Sequence, residues 1–368
     1  MAQKHMNQYP IPMVPGPTTV PQIILDAMNH DYPSPDLEKE FLELYNQTEN
    51  LLQVLYETKN RVVIHTGEGM IALWGALKST LLPGDRVLAL ASGVFGYGIA
   101  EMAASLGAEV KIYGIEYDQT FEDLDEIERL IKTFRPKMIT AVHCETPSGT
   151  LNPLENIGLL KRQYEVPLFY VDAVASLGGT AVKTDEWGID LCLGGSQKVL
   201  SAPPLAAFVA VSQTAWEIIK QVGYVGYDAL LPFWDAQEKF YFPYTPNWHG
   251  VAAVHQAAKL ILDEGLDEVF KRHEMVAEYC RKELQSMGLR LFPAENATPS
   301  PTVTAVYIPR KFNWEELDRR FRGMGLVVGG SYGPLAGKIF RLGHMGRQAK
   351  MELMEKALRV INEVVNHS

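Results

Sequence analysis

Between residues 61 and 211, short apolar runs and helix-forming segments take turns, and this rhythm limits what the chain can fold into more than any other feature. Residues 62–65, 86–91, 110–115, 138–143, 168–171, 191–193 and 206–211 read as strands. Residues 70–79, a segment after the 92–98 turn, and 124–134 read as helices between them. Several of the strands are continuous runs of Val, Ile, Leu and Ala without a polar face, which suits strands covered on both sides. The expected fold class is therefore α/β, a mostly parallel sheet with helices on both faces. Ligands on such sheets gather beyond the C-terminal ends of the strands, where Gly67-Glu68-Gly69 and the glycine-flanked turn around Phe95 fall.

The flanking regions have a different texture. Residues 1–20 are rich in Pro and lack periodicity, so an N-terminal arm is expected there rather than a packed element. Residues 21–29 and 36–56 carry apolar residues at helical spacing, and 233–246 reads as an aromatic, Pro-punctuated connector. From 248 onward, helices at 248–263, 267–287, 314–322 and 351–365 mix with strands at 302–308, 326–328 and 339–342. The expected division is an arm (1–20), a large domain (21–250) and a smaller C-terminal α/β domain (251–368).

The net charge of -10 argues against nucleic acid or an anionic membrane as partner, since both repel an acidic surface. Cys144, Cys192 and Cys280 are too scattered for a disulfide framework or a metal site, so no metal is expected. They read as reduced thiols of a cytoplasmic protein. Residues 1–9 lack the apolar stretch of a signal peptide, no run is apolar enough to span a membrane, and the Asn366-His367-Ser368 ending is not a peroxisomal address.

Chemistry concentrates at two places. In Gly195-Ser196-Gln197-Lys198-Val199-Leu200-Ser201-Ala202-Pro203-Pro204 a single Lys stands among small, neutral and apolar residues. An ammonium there loses hydration, its pKa falls, and the neutral amine becomes a nucleophile. Asp172 closes the apolar run 166–171, as a residue at the end of a buried parallel strand would. One amine and one carboxylate are what pyridoxal phosphate needs, for its aldehyde and its pyridine nitrogen respectively.

Asp172-Ala173-Val174-Ala175-Ser176, followed by Gly195-Ser196-Gln197-Lys198 and Ala202-Pro203-Pro204, resembles the class V aminotransferases of fold type I. The alanine–glyoxylate and serine–pyruvate branch is the nearest, with pyridoxamine–pyruvate aminotransferase a close relative. The likeness runs from about residue 15 to about residue 346. It implies an amino acid and a 2-oxo acid as substrates, a Schiff base on Lys198, and Asp172 on the pyridine nitrogen. It further implies that Glu68, Gly69 and Met70 open a helix that holds the cofactor phosphate, with Gln197 a further contact. Phe95 would stack on one ring face and Val174 press on the other. His143-Cys144-Glu145-Thr146-Pro147-Ser148-Gly149 matches a family segment in which Thr146 faces the cofactor's phenolic side. Thr245 in Phe242-Pro243-Tyr244-Thr245-Pro246 would reach the phosphate of a second subunit, making a homodimer obligatory. Gly16 in the Pro15-Gly16-Pro17 segment would lie across the substrate pocket, and Arg341 would bind the substrate carboxylate. His143 is expected to be a satisfied core histidine, and no late-chain cysteine supports desulfurase chemistry.

Two departures bear on the substrate. Glu68 stands where alanine–glyoxylate enzymes usually have a small residue, as it does in the pyridoxamine–pyruvate enzyme. Tyr332, however, replaces the second arginine of that enzyme. The expected activity is amino transfer from alanine or serine to glyoxylate or pyruvate. The alternatives are turnover of free pyridoxamine with pyruvate, or a pyridoxal-phosphate-dependent lyase.

Overall fold

The computed structural model describes residues 9–366, so the first part of the expected arm and the last two residues lie outside it. Seven strands form the larger sheet, in the spatial order Arg61–Thr66, Ala206–Val211, Leu191–Gly195, Leu168–Asp172, Met138–Val142, Arg86–Ala91 and Glu109–Gly114. The last five run parallel to one another. Ala206–Val211 opposes both its neighbours. The reason is local: residues 196–205 hold no helix, and a strand that returns without a crossover can only pair antiparallel.

The apolar runs behave as their composition demands. Met138–Val142, Leu168–Asp172, Leu191–Gly195 and Ala206–Val211 are buried along their whole length, whereas the edge strand Glu109–Gly114 is half exposed. Helix Gly69–Thr80 packs on the strands at Ala206–Val211 and Leu191–Gly195. Helix Leu124–Phe134 is capped by the Asp123 side chain, which accepts from the Glu126 N–H. Sequence periodicity missed helices Glu155–Gln163 and Gln213–Val222, and the single turn Ala236–Lys239. The second had readable ends, because the Ser212 hydroxyl accepts from the Ala215 N–H and Gly223 follows the last turn. A two-strand hairpin, Cys144–Glu145 with Thr150–Leu151, was also missed, being too short to show a period.

A second sheet has the order Ile11–Met13, Leu326–Gly330, Ile339–Gly343, Val303–Tyr307. Helices Leu266–Ser286, Trp314–Gly323 and Met351–Asn366 supply its own apolar cluster, with Val276, Phe321 and Ile361 packing on Phe340 and Leu342. Part of the expected arm is therefore packed structure. Ile11–Met13 pairs in parallel with Leu326–Val328, and Met13 is fully buried in the second cluster. The line drawn at 250/251 also falls inside helix Trp248–Glu264, whose buried face (Val251, Val254, Ala257, Ile261) belongs to the first cluster. The chain changes over beyond that helix.

Past Met13 the chain crosses the second sheet so closely that a side chain at Gly343 has no room. A Cβ there would lie 2.3 Å from the Val14 carbonyl oxygen and 2.4 Å from the Pro15 Cα. Gly343→Ala is expected to cost about 1–3 kcal/mol through overpacking against backbone, read as a lower unfolding midpoint in denaturant. An unchanged midpoint would show that residues 14 and 15 move aside freely.

Candidate active site

Asp172 ends its strand at the C-terminal edge of the large sheet, and its Oδ1 accepts from the Val174 N–H at 2.9 Å. Lys198 stands on the antiparallel return after Leu191–Gly195. That loop is tied by the Ala202 N–H to the Ser196 carbonyl at 3.0 Å, and by the Ser196 hydroxyl to the Pro203 carbonyl at 2.6 Å. Strand register and loop closure bring amine and carboxylate into one cavity of about 180 Å³. Glu68, Gly69, Met70, Phe95, Thr146, Val174 and Gln197 also line it, so of the residues expected at the cofactor only Thr245 is missing. Leu73, Cys144 and Ala175 complete the wall.

Burial sets the electrostatics. Loss of water drives the Lys198 ammonium down to about 8, with the nearby Arg341 charge helping, against opposing pulls from Cys144, Asp172 and Glu68. Burial also pushes the Asp172 carboxyl up to about 6, although the Val174 N–H and Lys198 favour its charged form. The Lys198 Nζ donates to the Pro15 carbonyl at 2.7 Å. Gly16 (φ +104°) lies directly on the amine, and a Cβ there would meet the Lys198 Cδ at 2.5 Å and Nζ at 2.6 Å. Only glycine fits that contact and that backbone angle.

Helix Gly69–Thr80 begins with Glu68, which makes no side-chain cap. The Glu68 Oε2 instead accepts from the Gln197 Nε2 at 3.0 Å, and the buried Gln197 Oε1 has no hydrogen-bond partner. On another wall the Phe95 ring meets Tyr332 edge-on at 6.2 Å, and Tyr332 is largely exposed. Val174 packs toward Gly69, where a Cβ would come within 3.0 Å of its methyl carbon.

Arg341 is 6 % exposed, and its guanidinium donates from Nε to the Gly330 carbonyl at 2.8 Å and from NH1 to the Thr146 carbonyl at 3.1 Å. Its centre sits 5.1 Å from the Tyr332 ring centroid. Burial lowers its pKa, with Tyr332 opposing. No carboxylate pairs with Arg341 among the described residues, so its partners are carbonyl oxygens of the pocket rim. Thr245 is exposed and stands apart from the cavity.

His143 is buried, with Nδ1 2.9 Å from the Ser176 hydroxyl and its ring edge-on to Trp187. Burial takes it down to about 4, so it stays neutral at ordinary pH. Cys144 contacts the Ser300 hydroxyl at 3.1 Å, and burial pushes its thiol up to about 11, which leaves it a poor nucleophile.

Sequence reasoning gave no role to Glu145. This fully buried carboxylate accepts from the Gly96 N–H at 2.7 Å and the Phe95 N–H at 3.2 Å, fixing the N-terminus of helix Val94–Ser105 and the turn that carries Phe95. Burial pushes it up to about 8, and Asp172 adds to the rise. A lone acid among the otherwise uncharged residues that follow the apolar run 138–142 was the available signal. The Pro15-Gly16-Pro17 segment was expected over the pocket, but the bond from Lys198 to the Pro15 carbonyl left no signal, because that contribution is a main-chain oxygen.

The class-V aminotransferase profile matches residues 13–333. The chain belongs to the class-V aminotransferases. Alanine–glyoxylate aminotransferase of Oryctolagus cuniculus is 31% identical over 368 residues, spanning 96% of this chain and 92% of the relative. The crystal structure of ureidoglycine–glyoxylate aminotransferase from Bacillus subtilis superposes with a TM-score of 0.94 at 32% identity, covering 99% of this chain and 95% of that one. Pyridoxamine–pyruvate aminotransferase from Mesorhizobium loti gives 0.93 at 28% identity, covering 98% and 93%. The protein is a fold-type I, pyridoxal-phosphate-dependent aminotransferase.

The residues present suit that cofactor. The cavity offers an amine and a carboxylate together, an aromatic wall and an aliphatic wall, and a helix N-terminus free of side-chain caps. If burial governs Lys198, its acylation by acetic anhydride in the full chain freed of cofactor will titrate with a midpoint near 8. The other lysines should follow the ordinary lysine range. Mass spectrometry of the labelled peptides reads this directly, and a Lys198 midpoint near 10 would refute the desolvated amine.

Proposed function

We propose that this aminotransferase takes the amino group from a small L-amino acid, alanine or serine, and passes it to glyoxylate or pyruvate. The observation that carries the reading is a desolvated amine and a buried carboxylate in one small cavity, with the Arg341 guanidinium bonded to the carbonyl of its wall residue Thr146. Bound there, pyridoxal phosphate supplies an aldehyde for the amino group and a ring that withdraws electrons from the substrate Cα. Lys198 would hold the cofactor, and as a neutral amine it would take the proton from the substrate Cα. Asp172 would keep a proton on the pyridine nitrogen, a cation beside it restoring the carboxylate that burial disfavours. Phe95 and Val174 would bracket the ring. The N–H groups at Gly69 and Met70, with Gln197, would take the phosphate, and Thr146 would face the phenolic side. Arg341 would exchange its carbonyl partners for the substrate carboxylate, and Gly16 would close the pocket above Lys198. The likeness to alanine–glyoxylate aminotransferase of Oryctolagus cuniculus supports a short amino donor.

Thr245, exposed and outside the chain's own cavity, is proposed to serve a second copy, so the working form would be a homodimer in the cytoplasm. No helix among the described residues is long and apolar enough to cross a membrane. One observation favours a second reading, turnover of free pyridoxamine with pyruvate: the Glu68 carboxylate stands at the end of the cavity that would receive a phosphate. Retention of phosphorylated cofactor through dialysis supports the first reading. Turnover of free pyridoxamine supports the second, and ammonia release without an oxo acid would indicate a lyase.

Adding L-alanine or L-serine to the yellow enzyme is expected to bleach its absorbance band and yield one equivalent of 2-oxo acid, and Lys198→Ala abolishes the exchange. Arg341→Ala removes charge-assisted hydrogen bonds to the substrate of about 3 kcal/mol, a loss of roughly a hundredfold in kcat/KM. Failure of every small amino acid to give an oxo acid would defeat the substrate assignment.

A further inference from the structure

Residues 14–19 form a strap that runs from the second sheet across the Lys198 loop to helix Gln22–Ala27. On its inner side four bonds join it to that loop, one of them from the Thr18 hydroxyl to the Ser201 hydroxyl at 3.4 Å. The Lys198 Nζ donates to the Pro15 carbonyl at 2.7 Å, the Thr18 N–H donates to the Gln197 carbonyl at 3.0 Å, and the Thr18 hydroxyl donates to the Lys198 carbonyl at 2.8 Å. On its outer side stands one buried side chain from the far end of the sequence, Gln348, 1 % exposed.

Every hydrogen-bonding arm of the Gln348 amide is directed at backbone. Its Nε2 donates to the Val14 carbonyl at 2.9 Å and to the Gly343 carbonyl at 2.6 Å, and its Oε1 accepts from the Thr19 N–H at 2.9 Å. One amide thus grips both ends of the strap and ties them to the strand that carries Arg341. Gln348 is held in turn. It closes the short helical turn Gly346–Gln348, in which the Gly346 N–H donates to the buried His273 Nε2 at 2.9 Å and the Arg347 N–H to the Ser201 hydroxyl at 3.0 Å. Ser201 lies on the Lys198 loop, so the turn bearing Gln348 is anchored to that loop as well.

We propose that Gln348 is a positioning residue for Lys198: it pins the 14–19 strap so that the Pro15 carbonyl receives the amine and Gly16 shields it from water. A strap released at both ends would leave its backbone donors and acceptors to water and lift Gly16 off the Lys198 side chain. Water would then replace a single carbonyl partner around the amine. The charged groups facing Lys198 from the other elements are Arg341, Asp172 and Glu68, with the neutral Cys144 thiol beside them, and none of them touches Gln348. The inference rests on Lys198 being the amine that carries the cofactor.

Gln348→Met keeps the bulk and removes all three bonds. In the full chain freed of cofactor, Lys198 of this variant is expected to react with acetic anhydride several-fold faster than wild type at pH 10, where the amine is neutral in both. Its labelling midpoint should also rise from about 8 toward the ordinary lysine value by roughly one unit, because hydration favours the ammonium. The remaining lysines serve as internal controls and should not change. A folded Gln348→Met protein whose Lys198 labels with wild-type rate and midpoint would overturn the proposal. Should that variant not fold, the near-isosteric Thr18→Val, which cuts the strap's bond to the Lys198 carbonyl, decides instead: faster labelling supports the strap as the cover, and an unchanged rate overturns it. Lack of transamination by the wild-type enzyme alongside altered labelling in the variant would sink the proposed substrates while leaving the role of Gln348 standing.

Discussion

Everything in this structure answers to the cost of keeping one amine dry. Water would hold Lys198 as an ammonium, and an ammonium neither attacks an aldehyde nor accepts a proton from carbon. Burial removes that hydration and brings the amine to about 8, while the same dry cavity raises Asp172 to about 6. The two groups move toward each other on the pH scale because desolvation penalises both charged forms. Neither is left without a partner: the Pro15 carbonyl receives the amine, and the Val174 N–H reaches the carboxylate. The fold supplies those partners from main chain, whose position is fixed by sheet register and loop closure rather than by side-chain rotamers.

That requirement explains where the chain was readable. Strands covered on both faces must be apolar, so Arg86–Ala91 and Ala206–Val211 stood out with their observed limits, as did helix Leu124–Phe134 with its apolar stripe. The cavity was legible for the same reason, since Lys198 and Asp172 are the charged residues of stretches that otherwise carry no charge. Motifs rather than periodicity pointed to Phe95, Thr146 and Gln197, and the structure gathers all three around one cavity.

What stayed hidden depends on contacts between segments distant in sequence. The reversal of Ala206–Val211 follows from a connection that lacks a helix, which a strand-by-strand reading does not register. Ile11–Met13 is too short to show an alternation, and its partner Leu326–Val328 lies some three hundred residues away. Glu145 looked like one letter of a motif, yet its two oxygens set the turn that presents Phe95. Pro15 works through a carbonyl, which no sequence displays.

The N-terminal strap shows why these hidden contacts cluster beside the amine. The large sheet can place Lys198 and Asp172, but a sheet edge is open to water, and the desolvation on which the chemistry depends has to come from elsewhere. Here it comes from a segment anchored at Ile11–Met13 in the second sheet and laid over the first body's loop, with Gly16 in contact with the side chain it covers. Arg341 extends from the same second sheet to the Thr146 carbonyl in the turn of the Cys144–Glu145/Thr150–Leu151 hairpin. The strap and Arg341 therefore share one support, the second sheet.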